Sequence, residues 1–271
     1  MKKIHIIKAD GRRVLFDPNK IIRTCVRAGT SRKDAKKIAN DTMNLIHSGF
    51  STKDVYRIVL KNISKINRGN IISHKYRLKE SIMKMGPAGF PFESFISQIL
   101  SNYGYEIEGV RKEIHGKCGK HEIDVIAKLK DKRFMVECKY HHRRGIHTSL
   151  KESLYTHARF LDLRENFDEE ILSCNTKLSD DALEYATCIG QNLLCWKHPS
   201  GESLEKMIDK KGLYPITLLN LNKIELRAFS DIKFMIAKDL LTADLKQLSR
   251  KTHISLPRLK RLQDLVGEIL I

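Results

Sequence analysis

Asp124, Glu137 and Lys139 are the residues whose types and spacing best suit a reaction in this 271-residue chain. Glu137 and Lys139 stand two apart, at the end of an apolar run at 134–138 (FMVEC). On a β-strand such a pair projects from one face. Asp124 lies in an earlier apolar run, 122–129 (EIDVIAKL), and Lys130-Asp131-Lys132-Arg133 makes a polar turn between the two. A hairpin folded there lays Asp124 beside Glu137. Neighbouring carboxylates amid apolar residues repel one another unless a cation joins them. Mg²⁺ (or Mn²⁺) takes oxygen ligands and keeps several waters. The metal ligands expected are Asp124 and Glu137, with Lys139 beside the metal-bound water. Such a set suits phosphodiester hydrolysis, in which the metal polarises the phosphoryl oxygen and acidifies its water. The ammonium stabilises charge developing in the transition state or orients the nucleophile. Glu93, in the helically spaced stretch 92–100, is a third carboxylate that completes the site through a water. The bare pattern also fits a solvated strand face, where acidic and basic residues alternate.

These residues need strands and helices to hold them. After Gly104 the texture predicts strands at 105–114, 122–129 and 134–138, then helices at 150–163 and 180–186 and a late strand at 193–196. Before the breaker cluster Gly86-Pro87-Ala88-Gly89-Phe90-Pro91 the pattern differs. Two short strands at 4–7 and 14–16 flank an Asp10-Gly11 turn. Helices follow at Asp17-Pro18-Asn19, at 35–46 and at 55–63, with a last one at 76–83. Ser51-Thr52-Lys53-Asp54 has the form of a capping box with Asp in place of Glu. From Ser203 the chain turns helical again, and Ser255 and Pro257 mark the start of its final helix. Three units are expected: 1–86, 87–202 and 203–271.

Charge narrows the partners. Fifty Lys and Arg against 32 Asp and Glu give +18, so the summed field attracts polyanions. Nucleic acid leads, and an anionic membrane surface comes second. No apolar stretch is long enough to span a membrane, and the start of the chain lacks a signal-peptide core. The six cysteines form no C-x-x-C pair, so reduced thiols in a cytoplasmic protein are expected. His115, Cys118 and His121, with Cys138, His141 and His142, match no common zinc template. Cys138 and Trp196 are expected in the core. The basic run His141-His142-Arg143-Arg144 is either a solvated loop or a set of DNA-phosphate contacts.

Residues 88–200 resemble the Mrr-type restriction endonucleases, a branch of the PD-(D/E)XK nucleases that also includes archaeal Holliday-junction resolvases. The resemblance rests on Gly89-Phe90-Pro91-Phe92-Glu93, Gly104-Tyr105, the run 119–126 ending Asp124-Val125-Ile126, and Val136-Glu137-Cys138-Lys139. It implies a mixed α/β sheet flanked by helices, Mg²⁺ dependence and DNA cleavage. Asp124 and Glu137 take the family's metal-ligand places, Lys139 its lysine and Glu93 its helical acid. The stretch before Asp124, Gly116-Lys117-Cys118-Gly119-Lys120, is poorer in glycine than the family's.

Residues 7–21 (IKADGRRVLFDPNKI) are similar to the ATP-cone, a regulatory nucleotide-binding module. The similarity extends over about residues 1–85 and implies a β-hairpin with a helical bundle. It also implies ATP or dATP as effector, contacted by Lys8, Lys20 and Thr52. The family's Lys-Arg pair is Lys8-Ala9 here. Residues 203–271 look like helix-hairpin-helix DNA-binding modules, although a plain assembly bundle fits their pattern as well. Arg258 and Lys260 there, with His141, Arg143 and Arg144, are the candidate DNA contacts.

The reading that results is a cytoplasmic, Mg²⁺-dependent DNA endonuclease under nucleotide control. It is expected to act as a homodimer, because one such site cuts one strand. Two rivals stay open: a non-enzymatic, nucleotide-regulated DNA-binding protein, and a nuclease acting on branched DNA or RNA.

Overall fold

The hairpin that opens the chain forms because Asp10 closes its turn, accepting from the Arg12 backbone N–H at 3.0 Å. Strands β1 (His5–Ile7) and β2 (Arg13–Leu15) pair antiparallel on either side of it. The computed structural model describes residues 3–86 and 89–270. Pro87 and Ala88, at the centre of the breaker cluster and of the expected boundary, lie outside those residues.

Helix α1 (Pro18–Arg27) starts at Asp17, which caps the Asn19 N–H, with Pro at the first position. Helix α2 (Arg32–Leu45) follows, then α3 (Thr52–Ile63), whose capping box closes both ways between Ser51 and Asp54. Cys25, Ala35, Ile38, Val59 and Ile63 form the core of this first unit. One helix was expected at 76–83. Two occur instead, α4 (Gly69–Tyr76) and α5 (Leu78–Ile82), meeting at Arg77. Arg68, with φ of 56°, opens α4 from a left-handed turn that its Gly-Asn start disguises as a loop.

Helix α6 (Phe90–Asn102) precedes a five-stranded sheet: β3 (Glu106–His115), β4 (Lys120–Leu129), β5 (Lys132–Lys139), β6 (Glu169–Cys174) and β7 (Asn192–Cys195). The spatial order is β3-β4-β5-β6-β7. The first three strands pair antiparallel and the last three parallel, so the sheet is mixed. Helix α7 (Leu150–Asp162) makes the crossover from β5 to β6, and α8 (Asp180–Cys188) that from β6 to β7. Strand β6 was not expected. Its sequence, EEILSC, opens on two acids, which read as solvated. In the fold Glu170 is buried and held by His157 at 2.6 Å and Gln191 at 3.1 Å.

The sheet's two faces bury different residues. Phe92, Phe95, Ile96 and Ile99 of α6 share a core with Val125, Val136 and Cys138. Cys138 thus lies in the core, as expected, and so does Trp196. Met135, Ile126 and Ile123 pack with Phe160 and Leu163 at the α7 end.

The C-terminal helices, α9 (Leu204–Lys211), α10 (Lys223–Asp231), α11 (Leu245–Thr252) and α12 (Leu256–Leu270), join the first of these cores. Leu204, Phe229, Leu259 and Val266 are continuous with the sheet's apolar face rather than forming a core apart from it. The α11–α12 hairpin turns through His253, whose φ of 57° takes the left-handed position usual for a glycine.

Candidate active site at the β4–β5 hairpin

The end of a ladder, where backbone pairing stops, is where a side chain can replace a backbone partner. Pairing of β4 with β5 is regular up to Val125 opposite Val136. Beyond it, Asp124 Oδ2 accepts the Cys138 backbone N–H at 2.7 Å. This bond pins the Asp124 carboxylate between Glu137 and Lys139. On the other side, β3 bulges between Ile107 and Gly109, and Arg111 has φ of 56°. Ile123 and Ile126, three apart, then pack in one cluster, so strict alternation fails around Asp124.

Glu137 is 2% exposed, and both its oxygens are occupied. Lys139 Nζ donates to Oε1 at 2.5 Å, and Arg159 Nη1 donates to Oε2 at 2.5 Å. Arg159, from α7, also donates to the Glu122 carbonyl. The sequence reading missed Arg159, because α7 is distant in sequence and its arginine carries no local mark.

Glu93, in the first turn of α6, is buried, and among the described residues its Oε2 has no hydrogen-bond partner. Arg111 Nε is 3.9 Å from that oxygen, too far to hydrogen-bond. Burial and then the charge of Asp124 push the Glu93 carboxyl up to about 7. Burial and then the charge of Glu137 push Asp124 up to about 6. Burial alone would lower the Lys139 pKa. The charge and hydrogen bond of Glu137 outweigh it, with Asp124 assisting, and raise the ammonium above its ordinary value.

All four residues expected at a reaction centre therefore come together: Glu93, Asp124, Glu137 and Lys139. Among the described residues, no three His, Cys, Asp or Glu side chains are grouped to hold a metal unaided. A two-carboxylate set completed by water still fits a hard cation, and two observations favour it. Glu93 carries a buried oxygen unpartnered among the described residues, and the Asp124 carboxylate is crowded by like charge.

The raised carboxyls set a pH dependence. Glu93 and Asp124 bind protons more tightly in the folded chain than in the unfolded one. Between the ordinary carboxylate range and about 7 the folded state holds more protons, so stability falls as pH rises through that window. Thermal melts in metal-free buffer are expected to show this loss from about pH 4 to about pH 7. Asp124→Asn should flatten the slope, and an unaltered slope in that variant would contradict the electrostatics described.

The other candidates are scattered. Lys8 and Thr52 line one cleft of about 670 Å³. Lys20 lines a second, of about 810 Å³, with Arg27 and Lys177. His141 is half-buried, its Nε2 3.1 Å from Thr148 Oγ1 and its N–H donated to Asn175 at 2.8 Å. Arg143 is exposed. Arg144 turns toward Glu80, 3.7 Å away, in the first cleft. Arg258 forms a two-pronged pair with Glu225 at 2.7 and 3.1 Å. Lys260, 61% exposed, pairs with Asp264 at 3.1 Å. His121 binds Asp162 at 2.7 Å.

Comparison with known proteins agrees with this architecture. Residues 4–77 match the model of the ATP cone domain, and residues 83–199 match that of the Mrr catalytic domain, described as restriction endonuclease. An uncharacterized protein of Archaeoglobus fulgidus is 36% identical over 154 residues, 56% of this chain and 87% of that protein. A crystallised protein of unknown function superposes with a TM-score of 0.61 at 31% identity, over 68% of this chain and 98% of the other. With their mixed sheet, the acid-bearing helix α6 and the hairpin of Asp124, Glu137 and Lys139, residues 83–199 belong to the Mrr-type restriction endonuclease family, and residues 4–77, on their N-terminal side, to the ATP cone family.

Proposed function

We propose that the protein is a Mg²⁺-dependent endonuclease that hydrolyses DNA phosphodiester bonds, with ATP or dATP as effector at the cone. The observation that carries this reading is the Asp124 carboxylate locked onto the Cys138 N–H, between Glu137 and Lys139. Asp124 and Glu137 are the residues to hold the cation. When bound, it supplies polarisation of the phosphoryl oxygen and acidifies its water. Lys139 keeps its proton and stabilises negative charge on the phosphate as the bond breaks. Its pairing with Glu137 holds it ready, and the substrate phosphate competes for it. Glu93, poised near neutrality with an oxygen unpartnered among the described residues, accepts a proton at Oε2. Arg159 holds Glu137 in place whichever partner Lys139 takes. The net charge of +18 draws the polyanionic substrate. One site cuts one strand, so a homodimer suits double-strand cleavage. Among the described residues, no helix is long and apolar enough to cross a membrane.

The test uses the purified full chain on plasmid DNA, a four-way DNA junction and RNA, with Mg²⁺ or with chelator. Cleavage of DNA that needs Mg²⁺ and vanishes in Asp124→Asn is expected. Equal activity of that variant and wild type would defeat the assignment. Preference for the junction or RNA would move the substrate class.

A further inference from the structure

The loop that follows β5 does not end in solvent. Residues 140–148 run from the strand carrying Lys139 to the start of α7, and their tip rests on the cone. Gly145 has φ of +85°, and a Cβ built there would come within 3.0 Å of the Asp10 backbone nitrogen and 3.1 Å of the Ala9 carbonyl carbon. That is the hairpin turn just after Lys8. A glycine is needed there for both conformation and close approach. The loop's ends are pinned, by His141 N–H on Asn175 at 2.8 Å and Thr148 N–H on the Lys177 carbonyl at 2.9 Å.

Beside this contact lies the cleft of about 670 Å³, within the usual range for a small-molecule site. Its walls come from three places. Lys8 and Arg57 belong to the cone, Arg77 and Glu80 to the α4–α5 junction and the first turn of α5, and Arg144 to the loop. Among the described residues of its lining, basic groups outnumber the single acid, Glu80. Glu80 accepts the Tyr56 hydroxyl at 2.7 Å and meets Lys84 at 2.9 Å, but Arg144 only at 3.7 Å. The Arg144 guanidinium lies 5.4 Å from the centre of the Tyr56 ring. Arg144 is thus loosely held and 47% exposed, at the rim of a cationic cavity.

We propose that an oligophosphate ligand is clamped between the cone and Arg144, so that the nuclease unit senses the ligand through the loop leaving its own candidate active-site strand. This rests on the nucleotide-effector reading above and adds to it the residue by which the signal crosses. An oligophosphate carries more charge than one carboxylate and outcompetes Glu80 for Arg144. Moving Arg144 moves the segment that begins one residue after Lys139.

Calorimetric titration of the full chain with ATP and with inorganic tripolyphosphate tests this. Wild type is expected to bind both, and Arg144→Ala to weaken both on the order of tenfold. Glu80→Gln, which removes the competing charge, should tighten both several-fold, roughly the inverse effect. Hydrogen exchange of residues 140–148 should slow when ATP is added to wild type. Unchanged affinity in Arg144→Ala, no gain in Glu80→Gln, or loop exchange indifferent to ATP would each overturn the clamp while leaving the cone a nucleotide site. Binding of neither probe by wild type would instead remove the nucleotide-effector reading, and the clamp with it.

Discussion

Lys139→Ala is expected to slow Mg²⁺-dependent DNA cleavage on the order of 10²–10³-fold with little change in thermal stability. The two effects separate because Glu137 has two partners. Removing the ammonium takes away the group placed to meet charge on the phosphate. It leaves Glu137 Oε2 on Arg159 at 2.5 Å, so the buried carboxylate is not stranded. The lysine side chain is itself 29% exposed, and its loss opens no sealed cavity. Asp124 loses a favourable charge as well, so its proton affinity rises further and the variant's pH–rate profile should shift to higher pH. Single-turnover cleavage across pH, beside a melting curve, reads both. A rate within a few-fold of wild type would show that Lys139 is a structural ion-pair partner alone.

Arg159→Ala carries the largest expected effect on stability. Its side chain is 9% exposed and that of Glu137 3%, so little solvent screens the pair. Truncation leaves one oxygen of Glu137 and the Glu122 carbonyl without their donor. Lys139 still partners the carboxylate, so the cost is that of two buried acceptors losing their donor, about 1–3 kcal/mol each. Activity should fall too, since Glu137 is then held by Lys139 alone, the group proposed to meet the phosphate. Urea unfolding monitored by circular dichroism measures the first effect. A loss below about 1 kcal/mol is the range of surface pairs, and would mean that Glu137 finds another donor.

Local pattern made much of this legible. The two-residue period put Glu137 and Lys139 on one face and Cys138 on the other, and the structure places Cys138 in the core. The Ser51–Asp54 capping box and the Asp17-Pro18 helix start are interactions within four residues, and both formed. Charge balance is a property of composition and pointed to a polyanionic partner without reference to any fold.

Contacts between segments far apart in the chain carried no such mark. Strand β6 hides Glu170 by pairing it with His157 and Gln191, which only the crossover helix and the residue entering β7 bring near. Arg159 reaches Glu137 across 22 residues. Asp124 leaves the simple alternation because its carboxylate takes over a backbone N–H at the end of the β4–β5 ladder. Lys8 and Lys20, expected at one ligand, line separate clefts, and Arg144, read as a DNA contact, faces the cone. Spacing along a chain decides which face a side chain takes within its own strand or helix. Which partner then meets that face depends on how the elements pack, and that is decided by burying the shared core rather than by any neighbouring residue.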